Sequence, residues 1–221
     1  MTNLNRIAVI FDMDGVLLDS MHAHFLAFEC FAKKHRIEFS ETHFRSFFGL
    51  HNREIFPLWF NKKLNVSEIE KYAEEKEGLY RTLAPSQVAP IPNAVDLVKH
   101  LYNSQIDLAV GSSGPRKNVH LALEILGITK YFKSVSTGDD TEQGKPDPAI
   151  FLHAASRLNI SPSACIVVED SVAGVEAALR AEMRVIALTS SFPADKLSKA
   201  HRIVNSLSEI TSKGIIELLR S

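Results

Sequence analysis

Cysteine is scarce in this 221-residue chain, and Cys30 and Cys165 are too few for a disulfide framework. They read as reduced thiols of a cytosolic protein. Residues Met1 to Arg6 are polar and run straight into a short apolar segment, with no signal-peptide layout. Charge of either sign is not in excess: 25 Lys and Arg stand against 26 Asp and Glu, for a net charge of −1. Nothing therefore points to nucleic acid or to an anionic membrane. No apolar run approaches the roughly 18–20 residues of a membrane span. Glycine and proline number only 10 and 9, without repeats or low-complexity tracts. Collagen-like and disordered classes are excluded.

What remains is ordinary globular composition, with 45% hydrophobic and 23% charged residues. The length suits about one and a half domains, or one α/β core plus a small accessory piece. Short apolar runs at 7–11, 106–110, 134–137, 165–168 and 185–188 read as strands, with a possible sixth at 203–204. Brief strands bounded by Gly, Asp or Ser suit a parallel sheet buried on both faces. Helical patterns lie between them at 93–102, 116–126, 148–158 and 172–182. Gly127 is placed to end the second of these. Such alternation predicts a doubly wound, Rossmann-like α/β fold.

One stretch breaks the rhythm. Residues 19–85 carry no convincing strand, and 26–34 and 67–83 read as helices. Ser67-Glu68-Ile69-Glu70 matches a capping box at the start of the second. The expected organisation is a core of residues 1–18 and 86–221 with a helical cap of residues 19–85 inserted after the first strand. In open α/β sheets the ligand crevice lies outside the carboxyl ends of the strands, and such an insertion would roof it. Trp59 and the Phe25, Phe28 and Phe31 stripe are expected to form cap core rather than a substrate platform.

Four motifs carry chemistry. In Ile10-Phe11-Asp12-Met13-Asp14-Gly15, an apolar strand ends in two carboxylates two residues apart. Positions i and i+2 of an extended chain share a face, so both acids can face one site. Two such charges together call for a cation or a shared proton. In Val167-Val168-Glu169-Asp170-Ser171 a second strand runs into adjacent acids. Carboxylates from different strand ends make an oxygen-rich site suited to Mg²⁺, although acids here also favour a helix N-terminus. Val110-Gly111-Ser112-Ser113-Gly114 leads into a helix, which suits an anion site or an ordinary N-cap. Gly144-Lys145-Pro146 offers a lysine at a helix entry that can reach a phosphate or simply lie in a solvated loop.

In this order the four motifs resemble those of the haloacid dehalogenase superfamily, from Asp12 to Asp170. The inserted helices resemble its helical-cap subgroup of β-phosphoglucomutase-like phosphatases and mutases. The resemblance implies Asp12 as nucleophile, Asp14 as general acid/base, and Ser112, with Ser113 beside it, and Lys145 as phosphoryl-binding groups. It implies Mg²⁺ held by Asp12, the Asp14 carbonyl and Asp170, with Glu169 nearby. In the cap, Ser20 and His24 resemble a Thr and His near the acid/base of the mutase. Residues Phe47 to Glu54 resemble the mutase loop whose arginine grips the distal phosphate, which maps that role onto Arg53. Lys76 resembles another cap lysine of the mutase, but a charged helix face is the expected reading. Lys117, in Arg116-Lys117-Asn118, stands near a run that binds the second phosphate there. The lead-in Gly114-Pro115-Arg116 departs from the mutase and resembles the subgroup's phosphatases.

The implied activity is a phosphatase of small phosphorylated metabolites such as sugar phosphates. A hexose-phosphate mutase is the first alternative and a non-catalytic regulatory protein of the same fold the second. The resemblance further suggests a cytoplasmic monomer.

Overall fold

The structure, a computed structural model, describes residues 6–47 and 52–221; the side chains of residues 45–47 and 53 lie outside that description. It divides into two compact units, Met1–Asp19 with Ala89–Ser221, and Ser20–Val88.

The first unit is built on a six-stranded parallel sheet. Its strands are β1 (Ala8–Phe11), β4 (Asp107–Gly111), β5 (Ser134–Ser136), β6 (Cys165–Glu169), β7 (Arg184–Leu188) and β8 (Arg202–Val204). A two-stranded antiparallel ribbon pairs β2 (Leu18–Asp19) with β3 (Ala89–Pro90), where the chain leaves and re-enters this unit. The sheet order is β5-β4-β1-β6-β7-β8. Strands β1, β4 and β6 are buried at every position, as a parallel sheet covered on both faces requires. Helices α5 (Ala94–Asn103), α6 (Arg116–Ile125), α7 (Ala149–Leu158), α8 (Val172–Arg180) and α9 (Ser212–Arg220) belong to the same unit. Phe151 and Ala154 of α7 and Val175 and Ala178 of α8 join Ile10, Val167 and Val185 in one apolar core.

Chain order reverses at β1. The chain steps from β1 to β4 and β5 on one side, then to β6, β7 and β8 on the other. That switch point leaves a crevice at the carboxyl end of β1, where ligands of open α/β sheets bind. Asp12 is the next residue, its N–H donating to the Val168 carbonyl at 3.0 Å. Gly15 then takes φ +80°, a conformation that suits glycine, and its N–H closes the turn on the Leu18 carbonyl at 2.8 Å.

The second unit is helical: α1 (Met21–His35), α2 (Glu41–Phe47), α3 (Asn52–Trp59) and α4 (Val66–Gln87). Phe28, Phe44 and Ile55 form one cluster and Phe31, Phe56 and Leu64 another, with Trp59 packed against both. Phe25, Phe28, Phe31 and Trp59 are thus core of this unit, as expected.

Three expectations are corrected here. Helix α1 begins at Met21, not near residue 26, and α2 and α3 give bounds to the helical stretch between the two expected helices. The capping box of α4 is Asn65 with Glu68, not Ser67 with Glu70. Asn65 accepts from the Glu68 N–H at 2.9 Å, and Glu68 accepts from the Asn65 N–H at 2.9 Å. Leu64 and Ile69 join one apolar cluster across that box, the staple that sets where the helix starts. Lys76 is 3% exposed rather than part of a charged surface. It falls three residues after Ala73 and four before Tyr80, on the face of α4 that packs inward.

Candidate active site

Four segments of the α/β unit deliver polar groups to one edge of the sheet. Asp12 follows β1, Ser112 follows β4, Lys145 precedes α7, Glu169 ends β6 and Asp170 follows it. Asp12, Ser112, Glu169 and Asp170 are all buried. The Lys145 side chain, 9% exposed, donates from Nζ to Asp12 Oδ1 at 2.5 Å and to Glu169 Oε1 at 2.7 Å. Its ammonium also lies 4.8 Å from the Phe151 ring centre. The Lys145–Pro146 peptide bond is cis.

Glu169 has both oxygens engaged. While Oε1 takes Lys145, Oε2 accepts from the Asp170 N–H at 2.7 Å and the Ser171 N–H at 2.6 Å. Gly174 is required beside it, because a Cβ there would overlap the Glu169 carboxylate. Glu169 therefore acts first as the counter-ion that aims Lys145.

Ser112 sits in the tight turn between β4 and α6. Its N–H donates to the Ser136 carbonyl at 3.0 Å, and its Oγ accepts from the Gly114 N–H at 3.0 Å. Ser113 lies half-buried in the same turn. A Cβ on Gly114 would stand 3.2 Å from Ser112 Oγ and 4.0 Å from Asp14 Oδ2, so the Asp14 carboxylate faces this turn. The turn is braced from behind. The Arg116 N–H donates to Asp139 at 2.9 Å, and its guanidinium to Asp140 at 2.6 Å.

The charges do not balance. Asp12, Glu169 and Asp170 each present an oxygen, all within 4.8 Å of one another. One ammonium faces three carboxylates. Burial pushes Asp12 up, Lys145 pulls it back, and Glu169 and Asp14 raise it again, to about 7. Burial and the charges of Glu169 and Asp12 likewise hold Asp170 well above the usual carboxylate range. Burial would lower Lys145, yet the Asp12 and Glu169 carboxylates raise it, so it stays charged. An all-oxygen, carboxylate-rich donor set with surplus negative charge fits a hard divalent cation. This cluster could hold a metal ion.

The remaining expected residues fall on α6 and in the helical unit. Lys117 is exposed on α6. Arg53 is placed in the first turn of α3, but its side chain is outside the described residues, as are residues 48–51 of the loop before it. His24 belongs to a polar knot within the helical unit. Its ring stacks on Tyr80 at 4.0 Å, and its Nδ1 accepts from Lys76 Nζ at 2.9 Å. Lys76 also bonds Glu77 Oε1 at 2.9 Å, and that oxygen accepts from the Asn52 amide at 2.8 Å. Burial, then the Lys76 charge, lowers His24 to about 3, so the imidazole is neutral. Burial would raise Glu77, but the Lys76 charge and the Asn52 amide hold it down to about 2.

Sequence reasoning missed Ser190 and Ser191, whose hydroxyls reach Asp170. The rule that found the other groups would have found them, since Thr189-Ser190-Ser191 directly follows strand β7.

The profile of the haloacid dehalogenase-like hydrolase family matches residues 9–188. The chain belongs to that family. Among curated haloacid dehalogenase-like relatives, a validoxylamine A 7'-phosphate phosphatase of Streptomyces hygroscopicus subsp. limoneus is 32% identical, covering 91% of this chain and 94% of that protein. A phosphorylated carbohydrates phosphatase of Thermotoga maritima is 31% identical, covering 92% and 99%. The crystal structure of a β-phosphoglucomutase from Clostridium difficile superposes with a TM-score of 0.84 at 28% identity, covering 97% of each chain. The motif reading and the Rossmann-like fold class thus agree with an enzyme of phosphate-ester chemistry.

Proposed function

We propose that this protein is a cytosolic, Mg²⁺-dependent phosphatase of small phosphorylated metabolites, sugar phosphates foremost, working through an aspartyl-phosphate. The observation that carries it is Lys145 bridging Asp12 and Glu169 beside a buried carboxylate cluster, with the Ser112 turn on the neighbouring strand. The two phosphatase relatives support hydrolysis over the mutase alternative. The free cysteines support a reducing compartment.

Asp12 attacks phosphorus, and the bond to the leaving oxygen breaks as Asp14 gives that oxygen a proton. Water then attacks the phosphoryl group, Asp14 takes its proton, and the Asp12–phosphorus bond breaks to release phosphate. Lys145 lets an anionic carboxylate approach an anionic ester, and Ser112 and Ser113 hold the transferring group in place. Asp12, Asp170 and the Asp14 carbonyl would hold Mg²⁺, with Glu169 adjacent. When bound, that ion supplies charge neutralisation of the transferring phosphoryl group. Arg53 of the helical unit is assigned to the distal part of the substrate, and His24 of the same unit and Lys117, on α6 of the α/β unit, to substrate binding.

The test is one incubation with Mg²⁺ and β-glucose 1-phosphate, primed with a trace of glucose 1,6-bisphosphate. Free phosphate without glucose 6-phosphate is expected. Glucose 6-phosphate without phosphate release would make the protein a mutase. A parallel Arg53→Ala variant is expected to raise KM for substrates with a distal charge more than for an aryl phosphate. An equal effect on both would remove Arg53 from recognition.

A further inference from the structure

The loop after β7 is unused by the mechanism above, yet it closes on the catalytic edge. Ser191 Oγ donates to Asp170 Oδ2. Ser190 Oγ donates to the Gly15 carbonyl at 2.6 Å and lies 3.3 Å from the same Asp170 oxygen. A hydroxyl has a single proton to give. The short bond to Gly15 takes that of Ser190, so Ser191 is the principal donor to Asp170. Gly15 completes the arrangement, because a Cβ there would overlap Asp170 Oδ2 and stand 2.9 Å from Ser191 Oγ.

We infer that Ser191 is a positioning residue that fixes the Asp170 carboxylate for metal binding, while Ser190 ties the β7 loop to the turn after β1. The inference rests on the metal reading of the preceding section. Among the described residues, the hydroxyl bonds to Asp170 all fall on Oδ2. That commits one oxygen to the β7 loop and presents Oδ1 to a cation. Without the hydroxyl, the carboxylate can rotate and both oxygens compete for the site. The turn that carries Asp12 and Asp14 and the loop that steadies Asp170 are then mechanically joined through the Gly15 carbonyl. Outer groups that orient metal ligands commonly weigh about 10- to 100-fold in metal affinity.

The test is a titration of the full chain with Mn²⁺, following free Mn²⁺ by electron paramagnetic resonance, with Mg²⁺ calorimetry alongside. Ser191→Ala is expected to weaken binding about tenfold, and Ser191→Thr, which keeps the hydroxyl, to restore it. Both serines are exposed, so the Tm is expected to stay at the wild-type value. The kcat of Ser191→Ala on an aryl phosphate is expected to recover at raised Mg²⁺, which a merely structural defect would not allow. A folded Ser191→Ala that binds Mn²⁺ as tightly as wild type would overturn the role of Ser191 and leave the metal site standing. If Ser191→Ala fails to fold, Ser191→Thr decides: weak Mn²⁺ binding despite the retained hydroxyl would overturn the inference, and wild-type binding would uphold it. Wild-type protein that takes up neither ion would overturn the metal reading and the inference together.

Discussion

Gly174 shows how one residue can reverse an ordinary expectation. Glycine inside a helix is usually about 0.5–1 kcal/mol worse than alanine. Here a Cβ would fall on the Glu169 carboxylate, which is 1% exposed and has nowhere to swing. Gly174→Ala is therefore expected to destabilise by about 1–3 kcal/mol through overpacking. It should also lower kcat, because Lys145 loses the partner that aims it. Urea unfolding and steady-state kinetics check both, and a stabilised, fully active variant would refute this view of Glu169. Residues of this kind were only partly legible in the sequence. Asp12, Ser112, Glu169 and Asp170 could be picked out because each directly follows or ends an apolar strand. Lys76 could not, because its neighbours Glu74, Glu75 and Glu77 disguise the apolar face on which it falls.

At the scale of elements, the knot joining α1, α3 and α4 makes a pH prediction. The folded His24 is held at about 3, well below the ordinary 6.5 of an imidazole, so the fold favours its neutral form. That contribution is complete above pH 6.5 and fades as pH falls toward 3. Glu77 is held at about 2 against 4.5, so its contribution is complete above pH 4.5 and fades toward pH 2. Both signs agree: acidification weakens the helical unit, His24 first. The raised carboxyls of Asp12 and Asp170 act in the opposite sense, gaining stability as pH falls, so the test is a difference: from pH 7 to pH 4 the Tm of the wild type is expected to fall relative to that of His24→Gln. A Tm difference between the two proteins that is indifferent to pH over this range would contradict the assignment. The α4 start was misread by two residues because Asn65-x-x-Glu68 and Ser67-x-x-Glu70 both match a capping box. The Leu64–Ile69 staple, a tertiary matter, chooses between them.

For the whole molecule, the sheet order places a surplus of buried negative charge at the β1 switch point. A divalent cation that binds the folded state and not the unfolded one raises stability by mass action. Mg²⁺ is expected to raise the Tm in a concentration-dependent way, and Asp170→Asn to blunt the shift. Equal response of both proteins would place the ion elsewhere. The α/β alternation and the helical insertion were visible in the sequence because strands and helices differ in apolar period and length. The pairing of β2 with β3 was not, since two-residue strands carry no period to read.

Acid quenching during turnover of a radiolabelled phosphate monoester decides whether Asp12 carries the phosphoryl group. A hydroxylamine-sensitive label is expected on the peptide containing Asp12, with no label and no turnover in Asp12→Asn and an unchanged fold in that variant. Steady phosphate release with no label on that peptide, or activity surviving in Asp12→Asn, would contradict that role.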